Sequence, residues 1–285
     1  MSNFEMACGI NVYCSGADDP GLPAAMKDMG RLGYTHIAFG PMDPASTDID
    51  ALRTMMSDAR IRPIVMAGLS PETDVSSEDE NVRKNGLQHL RDTIDFAAAL
   101  GADQLNGVSY ALHGDTSSPY SDERFTASAE TVGQAAEYAK SLGIKMTFEV
   151  VNRYETAMIN TAAQAVEYVK RSGSDNLFIH LDTFHMGIEE ADMPGAIKGA
   201  VKNLGYLELG QSSRASLNTG SVDIQAAVKA ANEAGFDGRY GFEAFTRQLL
   251  DPSVGNALAI WRETYPDSSQ IAAEAIELVR ENVIV

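Results

Sequence analysis

Residues 81–109 read NVRKNGLQHLRDTIDFAAALGADQLNGVS, and the pattern in this stretch decides the fold. Leu87, Leu90, Ile94 and Ala97 recur at three- and four-residue steps with charged residues between them, so a helix here carries one apolar stripe. Gly101 then stands where a left-handed residue closes a helix, and 104–109 is a short apolar run of the kind that forms a strand. The same order of strand, helix and glycine continues outward in both directions. Candidate strands lie at 7–13, 35–40, 62–69, 104–109, 145–151, 177–183, 204–210 and 239–245, each followed by a helix-like segment. Gly33, Gly143 and Gly235 close helices as Gly101 does.

Eight strand–helix pairs in 285 residues, without a Pro/Ser-rich linker or a shift in composition, predict an α/β fold. The expected form is a single (β/α)8 TIM barrel with 1–285 as one domain. A doubly wound sheet is the alternative, but it would carry a Gly-rich phosphate turn after an early strand, and neither GxGxxG nor GxxxxGK[ST] occurs. The longest connections, 70–79 and 111–122, follow strands three and four. In a barrel they sit over the C-terminal mouth, where substrates bind.

The chain has 22 Lys plus Arg against 40 Asp plus Glu, a formal charge of −18, and its isoelectric point is near 4.6. Such a field repels phosphate backbones and anionic lipid, and no basic stripe offsets it, so neither nucleic acid nor a membrane is an expected partner. No basic n-region with an apolar run opens the sequence, and no stretch approaches the roughly 18 apolar residues of a membrane span. The expected location is the cytoplasm. Cys8 and Cys14 are too few for a disulfide framework and read as reduced, with Cys8 packed in the core.

An acid at the C-terminal end of a barrel strand points into the mouth, and each of the last four strands has one. They are Glu149 in MTFEVV, Asp182 in FIHLDTFH, Glu208 in GYLELG and Glu243 in RYGFEAF. Carboxylates inside apolar strands are costly to desolvate, and four on neighbouring strands repel one another. A divalent cation is the simplest compensation, and oxygen ligands favour a hard ion such as Mg²⁺ or Mn²⁺. Pairing with Arg153, Arg214 or Arg247, all close in sequence, is the competing reading. His185, three residues beyond Asp182, can bond a substrate hydroxyl. His180 has the same facing but lies deeper and reads as structural, while His36, His89 and His113 receive no role.

The two segments EVVNRYE (149–155) and LDTFHMGIEE (181–190) resemble signature segments of the ketose 3-epimerases, within the xylose-isomerase-like barrel superfamily. The resemblance runs from MAGL (66–69) to GFEAF (241–245). It implies a divalent metal, Mn²⁺ or Mg²⁺, held by Glu149, Asp182, Glu243 and one ligand from strand seven. It also implies Glu149 and Glu243 as the acid/base pair, and Glu155, His185 and Arg214 as contacts to substrate oxygens. Residues 187–190 are similar to a stretch near the dimer contacts of that family, which implies a homodimer or homotetramer. One position departs: the family's strand-seven ligand is a histidine, whereas Glu208 stands here, and Gln211 replaces a glutamate.

The resemblance implies C3 epimerisation of a free ketose through a cis-enediolate. Because Glu208 makes the ligand set more negative, a decarboxylase, lyase or isomerase acting on a keto sugar acid stays open as the alternative. A sugar-binding protein without activity and an abasic-site nuclease on the same barrel are weaker readings. The acid/base pair is intact, and the charge of −18 opposes DNA.

Overall fold

A computed structural model describes residues 4–283. Eight parallel strands close into one barrel in sequence order: β1 (Met6–Gly9), β2 (His36–Phe39), β3 (Arg62–Met66), β4 (Gln104–Asn106), β5 (Lys145–Val150), β6 (Leu177–Asp182), β7 (Leu204–Leu209) and β8 (Arg239–Phe242). The helices between them are α1 (Leu22–Leu32), α2 (Ile49–Ala59), α3 (Glu80–Leu100), α4 (Asp122–Ser141), α5 (Ala162–Ser172), α6 (Thr183–Glu189), α7 (Met193–Ala200), α8 (Ile224–Glu233), α9 (Pro252–Ala257) and α10 (Ser268–Asn282).

The four expected glycine caps are all left-handed, with φ of 104° at Gly33, 91° at Gly101, 74° at Gly143 and 82° at Gly235. The strands end earlier than the sequence reading had them. β1 gives way to a 3-10 turn at Ile10–Val12, β4 stops where Gly107 turns left-handed at φ 111°, and β8 stops one residue short of Glu243. At each of these points the chain leaves the ladder to form the rim of the mouth. Among the described residues, no helix is long and apolar enough to cross a membrane. Cys8 and Cys14 are both buried and free.

The main hydrophobic core fills the layer between barrel and helices. The barrel interior holds a small separate cluster of Ala7, Ala38, Ile64 and Tyr206. Tyr206 is the plug. Its hydroxyl occupies the space over Gly241, where an added Cβ would stand 2.2 Å from the Tyr206 oxygen. The floor of the mouth is therefore a tyrosine ring, and that floor depends on glycine at 241.

One irregularity matters for function. Ile179 pairs with Leu204, but His180 pairs with Tyr206, so Gly205 is an extra residue in β7. Since strand side chains alternate, this one-residue shift resets which face of β7 points inward. As a result Glu208 pairs with Asp182, and the two carboxylates enter the barrel side by side.

Candidate active site

Asp182 is both the last residue of β6 and the N-cap of α6, and its Oδ1 accepts from the Phe184 amide at 2.9 Å. One oxygen is thus fixed by the helix while Oδ2, fully buried, has no hydrogen-bond partner. Thr183 ties the ends of β6 and β7 together, its hydroxyl bonding Gly210 O at 2.8 Å and Gly210 N at 2.9 Å. Glu208 Oε2 is likewise buried and unpartnered, and Oε1 lies at the limit of a bond from the Tyr206 hydroxyl, 3.5 Å away.

Ligand atoms of Asp182, Glu208 and Glu243 lie within 4.8 Å of one another, as do those of Glu149, Asp182 and His185 and those of Glu149, His180 and Glu208. The four carboxylates expected at the strand ends therefore converge. Among them stand two buried oxygens without partners, and oxygens of this hardness suit a divalent cation.

Of the three arginines that could have neutralised the cluster, Arg214 alone reaches it. Arg153 is held by Glu189 through bonds at 2.9 and 2.7 Å, and Arg247 donates to Asn256. Arg214 pairs with Glu243 and comes within 4.0 Å of Asp182 Oδ2. Its guanidinium is clamped between the rings of Phe184 and Phe245, at 4.2 and 4.6 Å. Its backbone is left-handed, φ 50°, and is held there by a bond from Phe245 N to Arg214 O at 2.8 Å. A non-glycine residue in that region costs about 1–3 kcal/mol, a strain that marks a side chain placed for a purpose.

The charges split the carboxylates. Burial alone would raise Glu149, but His180, His185 and Arg214 outweigh it and hold the group down at about 2. For Asp182, burial wins over His185 and Arg214, and with repulsion from Glu208 and Glu149 it rises to about 6. Glu243 is pushed well up by burial; Arg214 opposes this, while Glu208, Asp182 and Glu149 add to it. One buried arginine does not satisfy four carboxylates.

His185 is oriented by Asn152, whose amide N–H donates to Nδ1 at 3.1 Å and whose side chain approaches the same atom at 2.8 Å. A backbone amide can only donate, so Nδ1 is an acceptor and the neutral ring carries its proton on Nε2. That Nε2 faces Glu149 at 3.5 Å and Asp182 at 3.6 Å. Glu155 stands at the rim, where Oε1 accepts from Asn152 at 2.9 Å and Oε2 pairs with His113 Nε2 at 2.9 Å. That contact raises the His113 ring above its ordinary range. Asn152 and His113 are the residues that sequence reasoning missed, because both act from loops with no periodic signal. Gln211, one of the two departures, is turned away from the cluster. Its amide pins the following loop, donating to Leu217 O and Val222 O at 3.1 Å each and accepting from Ser212 N and Val222 N.

His113, Glu149, Glu155, His185, Arg214 and Glu243 line a cavity of about 460 Å³, with Phe39, Met66, Val108 and Phe245 as its apolar walls. Val254, Ala257 and Leu258, around α9, close one side. The volume fits a small ligand.

Residues 26–281 match the family model of the xylose isomerase-like TIM barrel. The chain is 35% identical to the ketose 3-epimerase of Arthrobacter globiformis over 280 residues, 98% of this chain and 97% of that one. The chain belongs to the ketose 3-epimerase family. Like that relative it is an isomerase, and C3 epimerisation of a ketose fits the relatives it matches. Within this epimerase family, the L-ribulose 3-epimerase of Mesorhizobium japonicum is 33% identical over 93% of this chain and 89% of its own. The D-allulose 3-epimerase of a Methylomonas species, solved in complex with D-allulose, superposes with a TM-score of 0.92 at 33% identity, covering 98% of this chain and 97% of that one.

Proposed function

We propose that this epimerase inverts C3 of a free ketose, a pentulose or hexulose of the ribulose or psicose kind, using one divalent cation and two glutamates. The observation that carries the proposal is the convergence of Asp182, Glu208 and Glu243 within 4.8 Å, with Asp182 Oδ2 and Glu208 Oε2 buried and unpartnered. Glu149, Asp182, Glu208 and Glu243 would hold Mn²⁺ or Mg²⁺, which supplies stabilisation of the negative charge that develops when a proton leaves carbon next to a carbonyl.

The protein's own groups then divide the work. Glu149, kept ionised, accepts the C3 proton. Glu243, from the other side of the β6–β7 pair, returns one to the opposite face. His185 donates from Nε2 to a substrate oxygen, and Asn152 fixes the ring for it. With Glu243 engaged as a ligand, the Arg214 guanidinium would be free to contact a substrate oxygen between its two aromatic walls. Glu155 and His113 hold hydroxyls at the rim, and the apolar walls exclude water from the carbanion. No Gly-rich anion loop follows β7 or β8, which favours a free sugar over a phosphorylated one. A homo-oligomer built through 187–190 belongs to the same reading.

The test is to strip the purified protein with a chelator, reload it with Mn²⁺ and supply L-ribulose or D-psicose in D₂O. The expected products are the C3 epimers with deuterium at C3. A reloaded protein that binds Mn²⁺ yet neither interconverts a free ketose nor exchanges its C3 proton would contradict the proposal.

A further inference from the structure

The imidazole of His180 lies beside the site. It is fully buried on β6, and neither ring nitrogen has a hydrogen-bond partner. An unpaired buried polar group costs about 1–3 kcal/mol, so protein interiors seldom keep one without a use for it.

Register explains why the ring points where it does. His180 pairs with Glu149 across β5–β6 and with Tyr206 across the shifted β6–β7 ladder, and partners on adjacent strands face the same way. The ring stands edge-on to Tyr206 with centroids 4.6 Å apart, so the barrel floor fixes its plane. Nε2 lies 3.0 Å from Glu208 Oε2, yet the direction of approach makes no hydrogen bond, and Oε2 too is left without one. Two donors bound side by side to one octahedral cation through bonds of about 2.1 Å stand about 3 Å apart, each aimed at the ion and not at the other. Ligand atoms of Glu149, His180 and Glu208 also lie within 4.8 Å of one another.

We propose that His180 is the nitrogen ligand of the metal centre, sharing the ion with Glu208. The inference rests on the metal reading of the preceding subsection and adds a residue to it. A nitrogen donor among oxygens shifts preference away from Mg²⁺ toward Mn²⁺ and Co²⁺.

The experiment uses chelator-treated full chain with Mn²⁺ alone, measuring uptake by equilibrium dialysis and ¹⁴N coupling by pulsed electron paramagnetic resonance. The expected result is one ion with nitrogen coupling in the wild type and in His185→Gln. In His180→Gln the coupling should be absent and Mn²⁺ affinity at least about tenfold weaker. Mn²⁺ uptake without nitrogen coupling, coupling that survives in His180→Gln, or coupling that disappears in His185→Gln overturns the assignment while leaving the metal reading intact. No Mn²⁺ uptake by the wild type overturns both. Should His180→Gln fail to fold, the wild type and His185→Gln decide the matter by themselves.

Discussion

The two ends of this barrel handle charge in opposite ways. At the N-terminal end Asp103 faces two cations, Arg62 and Arg239 at 3.3 Å, with the buried His36 ring at 3.5 Å, and Arg239 also bonds Glu5 at 2.6 Å and Gln104 at 2.8 Å. At the C-terminal mouth four carboxylates share one arginine, and two of their buried oxygens bond nothing. The first arrangement pairs its carboxylates with cations from the same chain. The second is incomplete within the chain, which is what a site for a cation and a charged transition state requires.

The largest effect should follow from breaking the acid/base pair. Glu149→Gln or Glu243→Gln should lower turnover by roughly 10²–10⁴-fold or more, with thermal stability nearly unchanged. Near-normal rates from either purified variant would remove these residues from the chemistry. Next in size is a pH effect confined to the mouth. Asp182 stands at about 6 in the metal-free chain, so protons compete with the ion below that pH. Apparent Mn²⁺ affinity should fall by up to about tenfold per unit as pH drops below 6, and calorimetric titration at several pH values would show it.

At the other end the sign is reversed. Burial pushes Asp103 up, but His36, Arg239 and Arg62 outweigh it and hold the carboxyl well below its ordinary range. The folded form therefore binds protons less readily than the unfolded one. Its contribution is complete above about pH 4 and is lost as pH falls toward the depressed folded value. Asp103→Asn should cost about 1–3 kcal/mol at pH 7, and less of the difference from wild type should remain at pH 3 in urea unfolding curves. The smallest effect sharpens the contrast most. Glu208→Gln removes one repelling charge from the metal-free mouth, so its melting temperature without metal should equal or slightly exceed the wild type's. A clear drop there would mean that the mouth is balanced as the base is.

Much of this arrangement is legible in the sequence, for identifiable reasons. The strand–helix alternation and the glycine caps are local, and they specify the barrel. Glu149, Asp182 and Glu243 are legible because strand ends map to the mouth. His180 is not, since its environment depends on the shift at Gly205, a property of pairing between two strands and not of either strand alone. Likewise the clamp of Phe184 and Phe245 on Arg214 joins a helix and two loops, and the approach of His113 to Glu155 spans 42 residues. The neutralising ring at the base escapes sequence reading as well, because Glu5, Arg62, Asp103 and Arg239 come from four parts of the chain.

Anomalous diffraction from crystals soaked in Mn²⁺ tests the central claim most directly. One strong peak is expected within bonding distance of Asp182 and Glu208 at the barrel mouth, and it should be absent from Asp182→Asn crystals. A mouth without a peak, with Arg214 still seated on Glu243, would contradict the account.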